Sequence, residues 1–493
     1  MSLLSRFALA GAAAASVLLS QPETADAVPA FARQTGYYCS TCHTAQPELT
    51  PFGRQFKLNG YTAGGTRCGD VRKIFGNMDK SQEWSGANFA MWLLPTFNHF
   101  AKDLPGGSPA PGLPANNILD FSDASVFYAG QIYCNLGLFS QFSYSSTGSP
   151  QGTGQIFWDN TEIRYTETTK VAGNDVLMGV MGNNNPGMQD VWNTVPAWAF
   201  PWVPQDIATG PSVATMLEGG SWGGWGGKAQ SVGGYLWVNN MFYAELSGYR
   251  AFDPNLIKVT GGDPTDGTPR FDSVAPYWRL AVEKTWSENS LEFGTYGMFA
   301  AVQPTNGTIS GATGITNNLS SLAFGSATDK YTDIAVDAQY QYIGPVHAVT
   351  VRGYYIWENQ KLDATYNAGN ALGYGLANRS SENLRSFNIS ASYIYDRHIS
   401  LSAAYFNIQG NQDTAYYAFS PNGKPNTDGF TLDLSYIPFP YGGPDLWPWL
   451  NARIGVLYTH FNKLDGTTNN VDAYPGYKAG DADQTFLYAW IDF

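Results

Sequence analysis

Five consecutive residues have the types and spacing that attach a redox cofactor. Cys39-Ser40-Thr41-Cys42-His43 is the C-x-x-C-H pattern of covalent c-type haem attachment. Two thiols three positions apart can add to the two vinyl groups of one haem, and the adjacent imidazole then lies under the iron as its proximal ligand. The pattern predicts one covalent haem c, attached through Cys39 and Cys42, with His43 on the iron.

Zinc binding and thiol redox chemistry are the other uses of a C-x-x-C pair. A structural zinc site needs a second pair of ligands, and no other histidine lies near the motif in sequence. The remaining histidines are His99, His347, His398 and His460. Haem c is assembled in an exported, oxidising compartment, so an export signal on the same chain favours haem.

The N-terminus has the pattern of a bacterial export signal. Arg6 provides the positive start, residues 7–19 are apolar, and residues 25–27 (Ala-Asp-Ala) form a small-x-small cleavage site. An anchoring helix is the alternative, but a bilayer span needs about 20 apolar residues and this stretch is shorter. We expect residues 1–27 to be removed and the mature chain to begin at Val28.

The residues that flank the motif resemble a known family. The runs VPAFARQTG (residues 28–36) and PELTPFGRQFKLNGY (residues 47–61) are similar to the cytochrome segment of fused cytochrome-porin outer-membrane proteins, which include bacterial iron oxidases. The resemblance is specific over residues 28–61 and only architectural beyond them. It implies an electron conduit that takes electrons from an extracellular donor such as Fe(II) and passes them through one haem c to a periplasmic cytochrome.

Beyond about residue 84 the sequence alternates with period two. Ile334 and Val336, for example, alternate with Asp333 and Asp337, which gives a strand one apolar and one polar face. About sixteen such segments follow, and bacterial single-chain barrels have an even number of strands. In such a barrel the apolar face contacts outer-membrane lipid and the polar face lines the lumen.

The connections and the last segment distinguish a membrane barrel from a soluble sheet. Long and short connections alternate, as extracellular loops and periplasmic turns do, and the chain ends on Phe493, like the final strand that outer-membrane assembly recognises. The long connections fall near residues 100–120, 183–230, 251–275, 301–330, 358–382, 409–428 and 461–484. The sequence predicts an all-β fold, an antiparallel outer-membrane barrel of about 16 strands over residues 84–493, preceded by a helical or coil haem plug over residues 28–83.

A plug of about 50 residues is too short to cover a haem by itself. We therefore expect the barrel wall or lumen to cover it. Arg33, Arg54 and Lys57 are candidates to pair with the haem propionates, and solvated or lumen-pairing cations are the alternative. The long 183–230 connection either folds inward over the plug or forms an external surface. It carries Trp192, Trp198, Trp202, Trp222 and Trp225.

The distal ligand of the iron is less constrained. No methionine or histidine other than His43 occurs in residues 28–77, so Met78 is the nearest candidate, and a later residue or water is the alternative. Met91 is not favoured, because strand parity directs it toward lipid. A lone methionine in a linker is more often a packing residue.

The two remaining cysteines are predicted to form a disulfide. Cys68 lies between the plug and the first strand, and Cys134 falls in a short turn after the second strand. This topology places both on the periplasmic side, where disulfides are permitted. The bond would tie the plug to the barrel.

Charge and composition limit the function classes. A formal net charge of −13 with only 14% charged residues leaves no basic field for nucleic acid, and 15% aromatic residues exclude a disordered chain. The acidic lumen residues are placed to attract cations, although carboxylates line many cation-selective pores. They are Asp333, Asp337, Glu283 and Asp433. An electron conduit, a porin-type solute channel with a haem plug, and a small-molecule haem enzyme remain open.

Overall fold

The structure, a computed structural model, describes the greater part of the chain. The described residues are 29–62, 88–109, 112–145, 155–192, 203, 207–218, 229–259, 270–303, 327–371, 373, 375–443 and 449–493. The predicted export signal and the predicted end of the plug at residue 83 lie outside them. Within the described residues, sixteen long antiparallel strands form one closed barrel.

The strands follow one another around the barrel in chain order. They are β1 Phe89–Phe100, β2 Ile118–Tyr133, β3 Leu136–Ser145, β4 Gln155–Val171, β5 Asn174–Asn183, β6 Ala229–Val238, β7 Phe242–Ala251, β8 Arg270–Phe271, β9 Ala275–Trp286, β10 Asn289–Gln303, β11 Asp329–Ile343, β12 His347–Lys361, β13 Ser381–Tyr395, β14 Ile399–Gly410, β15 Thr427–Tyr436, β16 Asn451–Lys463 and β17 Gln484–Asp492. The two-residue β8 pairs with the end of β10. The long strand β7 therefore has the long strand β9 as its neighbour in the wall. The first strand, β1, pairs with both β2 and β17, which closes the sheet.

The period-two pattern determines which side chains face the lumen. In β11, Asp333 and Asp337 are 0% and 6% exposed, whereas Ile334 and Val336 are 46% and 44% exposed on the outer surface. A closed antiparallel register also bonds the strand N–H and C=O groups within the protein, which a lipid environment requires. The architecture is that of a porin-like outer-membrane β-barrel, as the alternation predicts.

The two ends of the barrel differ in their connections. One end carries short turns such as Asn239-Asn240, where both residues have left-handed φ values of 53° and 52°, as a tight hairpin needs. The other end carries the long connections that the sequence predicts, and a further long connection joins β3 to β4. Both Phe89 and Asp492, the outer limits of β1 and β17, lie at the end with the short turns.

Short helices lie before and between the strands. They are α1 Pro29–Thr35, α2 Cys39–Cys42, α3 Pro51–Leu58, α4 Pro254–Val259 and α5 Gly369–Ala371, with a π-helical segment at Asp363–Ala368 and 3-10 segments at Met216–Glu218, Val471–Ala473 and Ala479–Ala482. The start of α3 is capped by Thr50, whose Oγ1 accepts a hydrogen bond from the Gly53 amide at 3.1 Å, and Pro51 occupies the first turn. None of the described helices is long and apolar enough to cross a membrane.

Residues 29–62 lie inside the barrel, at the end with the short turns. We call these residues the plug. Their contacts fall on the strand segments next to those turns, such as Glu283 near the end of β9 and Gln341 near the end of β11. The barrel wall therefore covers the short N-terminal segment.

Candidate functional site

The C-x-x-C-H residues lie between the plug and the barrel wall. Cys42 and His43 line a cavity there. Cys39, at the other end of the single-turn helix α2, faces the wall, where its Sγ accepts a hydrogen bond from Asn451 Nδ2 at 3.2 Å and its side chain packs on Phe439. Neither Cys39 nor Cys42 is in a disulfide. The residue types fit covalent haem attachment, and Cys42 and His43 lie on the cavity, but the Cys39 side chain would have to turn from Asn451 toward the cavity to form the second thioether.

The cavity is mostly apolar and partly open. Its volume is about 140 Å³. Small-molecule sites span about 300–1,000 Å³, so a haem would fit here only if the plug and the wall moved apart. Rings from both the plug and the wall line it: Phe31, Phe56, Tyr61, Trp92, Phe127, Phe139 and Trp490. Haem is large and mostly apolar, so this lining suits it.

Aromatic contacts join the plug to the wall around the cavity. Tyr61 stacks on Phe31 with ring centroids 5.4 Å apart and on Phe139 of β3 at 6.2 Å. Trp92 of β1 stacks on Trp490 of β17 at 4.4 Å, across the seam where the barrel closes. Stacked rings contribute about 0.5–1.5 kcal/mol each beyond their buried area. The plug and the wall therefore share one hydrophobic core.

The His43 imidazole is buried in this core. Burial lowers its pKa to about 4, although the nearby backbone carbonyls of Pro47 and Glu48 partly oppose that change. Its Nδ1 is inaccessible to solvent and makes no hydrogen bond to any described residue. The ring is therefore neutral at physiological pH, which is the protonation state that ligates metal ions.

Gly53 sets the distance between helices α2 and α3. A Cβ atom at this position would lie 2.2 Å from the carbonyl oxygen of Cys42, which is too close for any side chain. Glycine therefore lets α3 pack directly on the backbone that carries the thiol and the imidazole.

Of the three cations predicted for the propionates, only Lys57 lines the cavity. Burial lowers its pKa, and the carboxylate of Glu162 is the largest effect that opposes this. The Lys57 ammonium donates a hydrogen bond to the backbone carbonyl of Met188. Arg33 instead donates to the Phe89 carbonyl and lies over the Trp449 ring, 4.3 Å from its centroid.

Arg54 is a lumen-pairing cation, the alternative that its position in the sequence leaves open. Its guanidinium is buried and binds both carboxylate oxygens of Glu283 in β9, with Nε to Oε2 at 3.0 Å and Nη2 to Oε1 at 2.5 Å. It also donates to Gln341 Oε1 at 2.7 Å and to the Leu49 carbonyl at 2.8 Å. These bonds occupy the guanidinium in fixing the plug to the wall, so a propionate role for Arg54 is not supported.

Further buried polar contacts hold the plug in place. Glu48 accepts hydrogen bonds from Thr350 and from the neighbouring Thr44, and its other oxygen lies 3.8 Å from the Arg352 guanidinium. Tyr61 donates to Glu162 Oε1 at 2.7 Å. No local sequence pattern marks these residues, because each partner lies on a distant strand.

The predicted acidic lumen residues do face the lumen, but most of them have cationic partners. Arg279 binds Asp337 at 2.6 Å and Arg453 binds Asp433 at 2.7 Å, in addition to the Arg54 pair with Glu283. These carboxylates are neutralised where they lie, so they form no unpaired acidic lining. Asp333 accepts a hydrogen bond from the Leu217 amide at 3.0 Å.

The connection after β5 enters the lumen. Trp192 is buried there, and its Nε1 donates to Glu283 Oε2 at 2.8 Å, beside the Arg54 pair. Met188, four residues earlier, lines the same cavity as His43. The other tryptophans predicted for this connection, Trp198, Trp202, Trp222 and Trp225, lie outside the described residues.

Two predicted sulfur residues also lie outside the described residues. They are Met78, the candidate distal ligand, and Cys68, the candidate disulfide partner. Cys134 is disulfide-bonded and lies in the turn between β2 and β3, with a left-handed φ of 41°. Its pairing with Cys68 stays a prediction. Met91 is 48% exposed on the outward face of β1, as its parity predicts.

Comparisons with known proteins return barrel folds. No protein-family model and no curated protein matches the chain. Similar solved structures include a loop L8 deletion mutant of OmpT, an outer membrane protein of Vibrio cholerae, with 11% identity, a TM-score of 0.41 and coverage of 82% of this chain and 98% of that one. The outer membrane channel DcaP of Acinetobacter baumannii is 11% identical, with a TM-score of 0.43 and coverage of 82% and 96%. An anion-selective porin from Comamonas acidovorans is 11% identical, with a TM-score of 0.37 and coverage of 82% and 98%.

Proposed function

We propose that the protein is an outer-membrane electron conduit. In this proposal one haem c is attached to Cys39 and Cys42 with His43 on the iron, the donor is extracellular Fe(II), and the acceptor is a periplasmic c-type cytochrome. The observation that carries the proposal is the position of the C-x-x-C-H residues, inside a barrel and against an apolar, aromatic-lined cavity. The similarity of residues 28–61 to the cytochrome segment of cytochrome-porin fusions supports the same assignment.

The residues around the cavity have separate tasks in this proposal. A bound haem c supplies one-electron exchange. The neutral His43 ring ligates the iron, and the aromatic lining excludes water, which raises the reduction potential of a buried redox centre. Lys57, with its ammonium on the cavity, is placed to neutralise a propionate.

The depth of the plug matters because the membrane is thick. The hydrocarbon layer is about 30 Å across, and a haem outside the barrel would be separated from an extracellular donor by all of it. The plug lies within the lumen at the end that carries the short turns, which is the periplasmic end in bacterial barrels. This arrangement supports a periplasmic N-terminus, a nearby periplasmic acceptor and a donor that arrives from the side of the long loops.

A porin-type solute channel is the second candidate, favoured by the barrel fold itself. Arg54, Glu48 and Tyr61 fix the plug to three different strands through Glu283, Thr350 and Glu162. A channel would therefore carry the plug inside its lumen.

The experiment measures haem content and conductance in the purified protein and electron uptake in intact cells. Mass spectrometry and the pyridine haemochrome spectrum should show one c-type haem per chain, and Fe(II) added outside intact cells should reduce it. His43→Ala should abolish the reduction while the barrel stays folded. His347→Ala, which removes an exposed imidazole on the outer face, is the matched control and should behave like the wild type. A folded protein that Fe(II) does not reduce, but that conducts small solutes in planar bilayers, would establish the channel instead.

A further inference from the structure

We propose that Met188 is the second axial ligand of the haem iron. This inference rests on the proposed haem site. Met188 is 4% exposed and lines the cavity together with His43. A thioether is a usual partner of histidine in c-type cytochromes, and the cavity brings both residue types to one space. The geometry thus points to a ligand from the barrel loop rather than from the plug.

The other groups on the cavity are poorer candidates. Met91 also borders the cavity, but it is 48% exposed on the lipid-facing side of β1. The Lys57 nitrogen is engaged elsewhere, because it donates a hydrogen bond to the Met188 backbone carbonyl. Among the described residues His43 is the histidine on the cavity, and it is already assigned to the proximal side.

The backbone around Met188 is held from several directions. Its amide donates to the Asn185 carbonyl at 3.2 Å, and its carbonyl accepts from Lys57 of the plug. The next residue, Gln189, accepts through its carbonyl from Arg164 Nη2 at 2.9 Å, which ties the turn to β4. The backbone of this loop segment is therefore bound to both the plug and the wall, which keeps Met188 on the cavity.

This ligation has a consequence for the conduit. The iron would be held by His43 of the plug and Met188 of the connection after β5, which enters the lumen from the end with the long connections. Methionine ligation raises the reduction potential relative to an open or water-bound position. The position of this loop would then influence the potential at which the protein accepts electrons.

The test uses the intact, haem-loaded protein and three variants. The ferric wild type should show the charge-transfer band from thioether to iron, in the red part of the visible spectrum. The ferrous wild type should not bind carbon monoxide, because Met188 occupies the position. Met188→Leu keeps the apolar side chain but should lose the band, become high-spin, bind carbon monoxide and have a lower potential. Met188→His should restore a low-spin spectrum without the band. Met178→Leu, at a 40% exposed position of β5 away from the cavity, is the matched control and should match the wild type in every readout.

The outcomes separate this inference from the function on which it rests. A wild type that contains haem c but lacks the band, or a Met188→Leu variant with an unchanged spectrum and potential, would overturn the assignment of Met188 alone. A correctly folded wild type with no covalent haem would overturn the proposed function as well. The wild-type band does not depend on whether any variant folds.

Discussion

Loss of the Arg54 side chain should release the plug from the barrel. Arg54→Leu removes the partner of a Glu283 carboxylate that is 3% exposed, and it deletes hydrogen bonds to Glu283, Gln341 and Leu49. Removal of one member of a buried ion pair costs about 3–5 kcal/mol, because the other charge stays buried without its counter-charge. This energy corresponds to a roughly 100- to 4,000-fold rise in the population of the undocked plug.

The assay must separate plug docking from barrel folding. Hydrogen exchange of the plug amides reports the docking equilibrium, and the different gel mobilities of folded and heated barrels report the wall. We expect faster exchange in the plug with unchanged barrel mobility, because the wall is closed by its own strand register. Arg250→Leu, which removes an exposed guanidinium, is the matched control and should change neither readout.

A double variant tests whether the unpaired Glu283 charge is the cause of the lost docking energy. Arg54→Leu combined with Glu283→Leu leaves no unpaired charge, so part of the lost docking energy should return. A change below about 1 kcal/mol in the single Arg54→Leu variant would refute the reasoning, because that is the range of an exposed salt bridge.

Three further predictions concern the haem helix, the disulfide and a loop. Gly53→Ala would place a Cβ 2.2 Å from the Cys42 carbonyl oxygen, so α3 must shift and haem attachment should fall, as the pyridine haemochrome yield would show; an unchanged yield would contradict the close packing. Cys68 and Cys134 should resist alkylation until they are reduced, and the bond, which closes a loop of roughly 66 residues, should stabilise the fold by about 2–4 kcal/mol. Burial and a neighbouring aspartate raise the pKa of Asp465, in the last long loop, to about 8. The folded loop therefore binds more protons than the unfolded one between about pH 4 and pH 8, and its protection from hydrogen exchange should fall as pH rises through this range, with a smaller change in Asp465→Asn.

Local patterns in the sequence were sufficient for the barrel and the motif. Side chains alternate across a strand, so the polar residues Asp333 and Asp337 and the apolar residues Ile334 and Val336 fall on opposite faces wherever the strand lies. The C-x-x-C-H spacing is likewise local, because one helical turn carries both thiols and the histidine follows it. These features need only a few neighbouring residues, and a single sequence displays them.

Only the tertiary structure determines which side chains of the plug, the wall and the loops contact one another. Arg54 lies 229 residues from Glu283 in the chain, and Met188 lies far from His43, yet barrel closure and the inward course of the loop after β5 bring each pair to one site. Strand parity placed Glu283 in the lumen without revealing the arginine that neutralises it. Which lumen residues meet depends on the register of the closed sheet and on the position of the plug within it, and these are properties of long-range packing rather than of any local pattern.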